Sequence, residues 1–466
     1  MISKIEQFYQ QRIAELQAEN ATLKKRIEEL ERRLGMNSKN SSKPPSSDPP
    51  EMSVALPKHR RKKRGAKNGH QPHLRELLPQ KFVKKHIPLK AEICPCGSTN
   101  LKVTDQEPLR HQMVDILPIE PHVTEYVQYI SECKDCGAFV YKPLPDEVNR
   151  KHFGPGVLAI VAVLTGMLNT SKRKALAMMT EVFSVPMSLG GLSNCEAQLT
   201  EAMEPPYHEA ARYVREQDIA HADETSWPRG NREKGWLWAL GCTTAAVFMV
   251  HANRNSQAAC KLIGDFVGKL VSDRYKAYHV YTLIRQICWA HLTRDFNAIS
   301  ESKDALGKIG RQLHDLAMKI LILRKRVRDG TLQWDTFQSR MPTLQKRVES
   351  LLHAGARSEG NLGGKCRDIL SHKMYLWTFV HDPCVEPTNN AAERLVRQGV
   401  LWRKGSFGTQ SERGARYVER ILTVCATCHL QGQSVIEYLR NMCHCYLNGI
   451  PVPLLIKTSG NLVKSA

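Results

Sequence analysis

Three acidic residues stand in local sequences suited to phosphodiester chemistry. Asp223 ends an apolar stretch in Ile219-Ala220-His221-Ala222-Asp223-Glu224-Thr225, Asp273 closes Leu270-Val271-Ser272-Asp273, and Glu393 lies in Asn389-Asn390-Ala391-Ala392-Glu393-Arg394. Breaking and remaking a phosphodiester calls for two hard cations about 4 Å apart, one activating the attacking oxygen and one steadying the leaving oxygen. Such ions, Mg²⁺ or Mn²⁺, take carboxylates and water, so Asp and Glu at the ends of elements facing one cleft are the expected ligands. Each acid alone has a blander reading: a surface cap for Asp223, a turn former for Asp273, and an i,i+4 ion pair with Arg397 for Glu393. Arg394, Arg397, Arg403 and Lys404 follow the third acid closely, which suits a helix gripping a DNA strand or a solvated basic face. In Trp289-Ala290-His291-Leu292-Thr293-Arg294, His291 and Arg294 are further candidates for DNA contact. His291 equally reads as a residue that orders the site or as a packed strand-end histidine.

The elements needed to carry these acids can be read from periodicity. Residues 218–222, 235–240 and 245–251 have strand-like patterns, a helix follows at 256–263, and 269–272 is a fourth strand, with a fifth expected at 284–290. Residues 300–380 are rich in Leu, Lys, Arg and Glu at helical spacing, and 389–400 reads as one more helix with an Asn pair near its start. Three strands, a helix, more strands and a late acidic helix is the order of an α/β ribonuclease H-like core. It is expected over 216–422, with an α-helical insertion at about 300–380 and a helical tail over 423–466. Cys425-x-x-Cys428-His429, with Cys443, His444 and Cys445, has haem-attachment or metal spacing, but it lies within an amphipathic helical pattern and reads as core thiols.

Ahead of this core, Ile2, Tyr9, Leu16, Leu23 and Leu30 share one heptad position, and Ile13, Ile27 and Leu34 another. Over residues 1–35 that is a coiled coil, with Asn20 at a core position fixing register in a parallel dimer, or else a single solvated helix. Residues 36–80 form a Ser-, Asn-, Lys- and Pro-rich linker that cannot bury a core. It runs into a dense basic segment, Lys58, Arg60, Arg61, Lys62, Lys63 and Arg64, read as a contact to DNA phosphates or a solubility tract. Over 81–148, Cys94-Pro95-Cys96-Gly97 and Cys133-Lys134-Asp135-Cys136-Gly137 make two Gly-containing turns able to hold Zn²⁺, or a zinc-free pair of hairpins; His86, His111 or His122 could replace one ligand. Residues 149–215 are helical at 157–168, 172–183 and from 189, a pattern shared by a helix-turn-helix DNA reader and by any bundle.

The whole chain of 466 residues is long enough for about three domains. Its 67 Lys and Arg against 46 Asp and Glu leave a net charge of +21, which makes a polyanion the natural partner; a ribosome-associated housekeeping factor is the bland alternative. The start has no signal-peptide core and no apolar run reaches roughly 20 residues, so a soluble intracellular protein is expected, and no membrane partner. In that reducing setting the 14 cysteines read as free thiols or metal ligands.

Taken together, Asp223-Glu224-Thr225, Ser272-Asp273, Trp289-Ala290-His291 and Asn389-Asn390-Ala391-Ala392-Glu393-Arg394 through Gly405-Ser406 resemble transposases of the insertion-sequence-66 family. The zipper, linker, basic segment, cysteine turns and the stretch from Thr423 to Leu439 are similar to that family too, so the resemblance spans nearly the whole chain. It implies an acidic-triad (DDE) enzyme that cuts the ends of its element and joins the 3′ hydroxyls to target DNA. Asp223, Asp273 and Glu393 would then be its metal ligands, accessory proteins of the same element its partners, and the bacterial cytoplasm, in association with the nucleoid, its location. The one-residue spacer of Cys94-x-Cys96 departs from the family pattern. The rival readings are a nuclease that cuts without joining, an inactive DNA-binding repressor, and a zinc-dependent adaptor held by the zipper.

Overall fold

The computed structural model describes residues 2–34, 36–37, 40, 75–145, 148, 152–230 and 233–457. The basic segment, Lys58, Arg60, Arg61, Lys62, Lys63 and Arg64, lies outside them. The chain divides into two compact units, Glu51–Pro121 and the remainder. In the smaller unit, residues 75–121 contain one 3-10 turn, Gln80–Phe82, and otherwise no helix or strand. Cys94 and Cys96 sit there on a tight bend: Gly97 N donates to Cys94 O at 2.7 Å, with Gly97 at φ +89°.

The larger unit begins with α1 (Ile2–Leu34), one continuous helix along which Tyr9, Ile13, Leu16, Leu23, Ile27, Leu30 and Leu34 are exposed. A hairpin of β1 (Ile130–Glu132) and β2 (Phe139–Tyr141) carries the second cysteine pair, on a bend where Gly137 N donates to Cys133 O at 2.8 Å. Helices α2 (Pro155–Ala162), α3 (Lys172–Glu181), α4 (Leu189–Ala202) and α5 (Glu204–Arg215) come next, α2 running on into a π-turn at Val163–Met167. Ser171 and Ser188 start α3 and α4 where the sequence shows side-chain caps: their Oγ atoms accept from Lys174 N at 3.4 Å and Gly191 N at 3.0 Å.

Five strands then make one mixed sheet with α6 (Ser256–Ile263) between them: β3 (Ile219–Ser226), β4 (Trp236–Gly241), β5 (Ala246–His251), β6 (Lys269–Ser272) and β7 (Arg285–Ile287). Their order is β5-β4-β3-β6-β7; β3–β4 and β4–β5 are antiparallel, β3–β6 and β6–β7 parallel. Two sequence expectations change. The first strand runs on to Ser226 because its ladder with β4 continues to Ser226↔Trp236, so Asp223 lies inside a strand rather than beyond it. The fifth strand stops at Ile287, and α7 (Trp289–Ser300) begins where strand was expected to continue. The apolar residues there repeat at helical spacing, Trp289, Leu292, Phe296 and Ile299 all being buried.

The insertion comprises α8 (Ala305–Arg328), α9 (Trp334–Ala356), α10 (Gly360–Ser371) and the single turn α11 (Thr378–His381). With α7 it has its own core, in which Leu313, Ile320, Phe337 and Leu352 join Ile287 and Trp289 at the sheet edge. The chain returns as α12 (Asn390–Ser406), α13 (Glu412–Leu430), which is continuous through residue 422, and α14 (Val435–Leu447). One sheet face packs Leu237 and Phe248 against Leu158, Leu192, Val396, Ile421 and Leu439, so the helices before the sheet and those after it share a core. The other face packs Ala220, Ala222, Trp238 and Leu270 against α6 and Tyr278. Cys425, Cys428 and Cys443 are buried in the first of these cores, as core thiols should be, and Cys445 is half-buried. No helix among the described residues is long and apolar enough to cross a membrane.

Candidate active site

Strand register brings the first two acids together. β3 and β6 run parallel, with His221 opposite Val271; two residues further along lie Asp223, within β3, and Asp273, just past the end of β6, on the same face. Neighbouring strands are about 4.8 Å apart, within reach of one bound ion. Asp223 Oδ1 accepts from Glu224 N at 2.9 Å and Asp273 Oδ1 from Tyr275 N at 2.8 Å, so Asp273 is also the turn former its sequence suggests.

Glu393 comes from the first turn of α12, which lies across β3 and β4. Its seating depends on Asn389, the residue before the helix, which is only 1% exposed. Asn389 Nδ2 donates to Ala222 O at 2.7 Å, and Oδ1 lies 3.2 Å from His221 Nδ1. The backbone N of Asn389 donates to Cys288 Sγ at 3.1 Å, and Trp289 N donates to Pro387 O at 2.8 Å. Further along, α12 is in close contact with the sheet at Gly399, where a Cβ would stand 2.2 Å from Leu237 Cδ2.

The electrostatics tie the acids to one another. Burial, then the neighbouring carboxylates Glu224, Asp273 and Glu393, pushes the Asp223 carboxyl well above the usual range. The Glu393 carboxylate does not pair with Arg397; it turns to α7, its Oε1 lying 3.6 Å from Arg294 Nη2 and 3.8 Å from His291 Nδ1. Those separations exceed hydrogen-bond reach, and Glu393 Oε1 and His291 Nδ1 are both buried without a hydrogen-bond partner. Burial, then Arg294, lowers the His291 pKa.

A buried layer supports the acids from behind. Glu224, next to Asp223 but pointing to the opposite face, has a fully buried side chain paired with Arg254 at 2.6 Å and accepting from Tyr278 OH. Arg254 lies over the rings of Tyr275, at 3.8 Å, and Trp236, at 4.9 Å. Arg285, buried on β7, donates to Ser272 Oγ at 3.2 Å and Asp273 O at 3.3 Å. Arg274 pairs with Asp295 and, at 2.8 Å, with Asp368, fixing the residue after Asp273 to the insertion.

The basic residues named from sequence divide into two groups. Arg394, Arg397 and Lys404 are exposed. Arg403 instead turns inward, donating to Thr225 Oγ1 at 2.9 Å and to Ser226, so it braces the end of β3. His291 and Arg294 face Glu393. Asn389, Glu224, Arg254, Tyr278, Arg285 and Cys288 had no site role in the sequence reading. One signal was available: Glu224 has the parity of Ala220 and Ala222, so an acid there must enter the core and requires a buried donor. In each cysteine turn one thiol is made more acidic by hydrogen bonds, Cys96 first by the Ser98 backbone and Cys133 first by the Asp135 backbone.

Comparison with known proteins gives this arrangement its class. The chain belongs to the transposase IS66 family, whose model matches residues 150–417, from α2 into α13. Residues 3–76 match a family of unknown function. An uncharacterized protein of Sinorhizobium fredii, y4hP, is 23% identical over 372 residues, covering 72% of this chain and 67% of that protein. Another from the same organism, the uncharacterized protein y4qI, is 26% identical over 266 residues, covering 48% of this chain and 47% of its own length.

Proposed function

We propose that this chain is a DNA transposase of the acidic-triad kind, cutting strands at element ends and joining the 3′ hydroxyls to target DNA. The observation that carries the reading is the convergence of Asp223, Asp273 and Glu393, in which an anionic Asp223 is disfavoured until a cation joins it. The sheet order, with three antiparallel strands followed by two parallel ones and a late acidic helix across the first strand, supports a ribonuclease H-like core. The donor set fits hard cations: three carboxylates, one with a buried oxygen that has no hydrogen-bond partner. Mg²⁺ or Mn²⁺, when bound by these acids, supplies charge neutralisation and Lewis acidity at the scissile phosphate.

The chain's own part is positioning. Asn389 sets the angle at which α12 presents Glu393, and Arg285 and Arg274 fix the backbone at Asp273. Exposed Arg394, Arg397 and Lys404 offer charge to the phosphates of the bound strand. The exposed heptad residues of α1 support self-association through a coiled coil, and such an enzyme would work with the chromosome in the cytoplasm.

The test is strand cleavage and joining on labelled element-end DNA with Mg²⁺, comparing the native chain with Asp223→Asn, Asp273→Asn and Glu393→Gln. All three variants should keep end binding and lose joined product. Cleavage without joining by the native chain would make it a nuclease instead, and activity surviving the loss of any one acid would refute this triad.

A further inference from the structure

Beside the triad is a donor set of different chemistry. Cys288, which precedes α7, and His291, three residues later on the same turn, face Glu393 of α12, and a sulfur, a ring nitrogen and a carboxylate oxygen from these three all lie within 4.8 Å of one another. The sulfur accepts from the backbone N of Asn389 at 3.1 Å. His291 Nδ1 and Glu393 Oε1 lie 3.8 Å apart, too far to bond, and neither has a hydrogen-bond partner. Two ligands bonded to a tetrahedral cation at about 2.0–2.1 Å stand roughly 3.3 Å apart, so a small contraction would let one ion satisfy both. A thiolate, an imidazole and a carboxylate suit zinc and other borderline-soft cations, and the sulfur makes the set a poor one for Mg²⁺.

We propose that Cys288, His291 and Glu393 form a site for a tetrahedral soft divalent cation, of which zinc is the common example, and that its occupation withdraws Glu393 from Asp223 and Asp273. On binding, the Cys288 thiol gives its proton to solvent and the fourth position is left to water. Arg294, 3.6 Å from the same Glu393 oxygen, is the competing charge and must swing aside. The cation site stands on geometry alone; its inhibitory consequence rests on the transposase reading.

Cobalt separates the two. The full-length protein, stripped of metal and titrated anaerobically with Co²⁺, should give a near-ultraviolet sulfur-to-cobalt band, and native minus Cys288→Ser should retain one equivalent of it. Any contribution of Cys94, Cys96, Cys133 and Cys136 is common to both proteins and cancels. His291→Gln should weaken Co²⁺ at least tenfold, and Arg294→Gln should tighten it. Identical titrations for native and folded Cys288→Ser would overturn the site; if that variant does not fold, unchanged Co²⁺ affinity in His291→Gln decides against it equally. In the strand-cleavage assay, Zn²⁺ at low micromolar concentration under millimolar Mg²⁺ should suppress the native protein. A cobalt band without that suppression would refute the withdrawal of Glu393 while leaving the cation site standing.

Discussion

Replacing Asn389 by alanine removes both hydrogen bonds that seat α12 on β3. The Ala222 carbonyl, in a residue with no exposure, loses its 2.7 Å donor, and His221 Nδ1 loses its 3.2 Å partner. Leaving a buried polar group unsatisfied costs about 1–3 kcal/mol, so the pair should cost roughly 2–6 kcal/mol, a large share of the ~5–15 kcal/mol available to a typical domain. Asn389→Asp preserves shape but sets a carboxylate against the Ala222 carbonyl and beside Asp223, so near pH 8 it should be at least as damaging. As pH falls the new acid takes up a proton and regains a donor, and its deficit relative to the native chain should shrink. Urea denaturation followed by tryptophan fluorescence at pH 8 and 5.5 gives both quantities. A shift of Glu393 by about 1 Å should also lower strand cleavage ~10²-fold with end binding intact. Stability within ~0.5 kcal/mol of native for both variants, at both pH values, would refute the claim that Asn389 seats the helix.

Three further perturbations test the surrounding structure. Because burial and three neighbouring carboxylates raise the folded Asp223 pKa, this group binds more proton folded than unfolded, so its contribution to stability is lost as pH rises above the ordinary value of 3.8. Asp223→Asn should therefore melt higher than native at pH 7.5 in EDTA and lose that advantage near pH 4, and Mg²⁺ should raise the melting temperature of the native chain more than that of the variant. Arg254→Ala strands the buried Glu224 carboxylate and should cost about 3–5 kcal/mol by chemical denaturation, much of it recovered when Glu224→Gln is added. Gly399→Val forces α12 away from Leu237 and should cost at least ~1–3 kcal/mol together with most cleavage activity. Gly405→Ala, on the same helix with nothing within 4 Å, should be neutral or stabilising by up to ~1 kcal/mol.

Element order was legible in the sequence because strand and helix periods alternate cleanly between residues 218 and 272, and Asp273 follows a strand end that tolerates charge. The shortened fifth strand was not, since a buried helix start and a buried strand share the same apolar run. Arg403 groups by composition with its basic neighbours, yet it lies seven residues after Val396 and four after Gly399, both buried, and so is on the packed face of α12. Asn389 was legible only as a helix cap; its partners, Ala222 and His221, are more than 160 residues away and no local pattern announces them. A separation of about a hundred residues likewise hides the meeting of Cys288 and His291 with Glu393.

The bonds at Trp289–Pro387 and Cys288–Asn389 close a loop of about a hundred residues, so the whole insertion leaves and re-enters the core through one doorway. The entropy of closing a loop grows only logarithmically with its length, about 0.6 kcal/mol for each doubling. The doorway, not the insertion, therefore determines where Glu393 stands. Helices α8 and α9 can lengthen, shorten or acquire new surface while the third acid keeps its place; α10 is less free, because its Asp368 holds Arg274 beside Asp273.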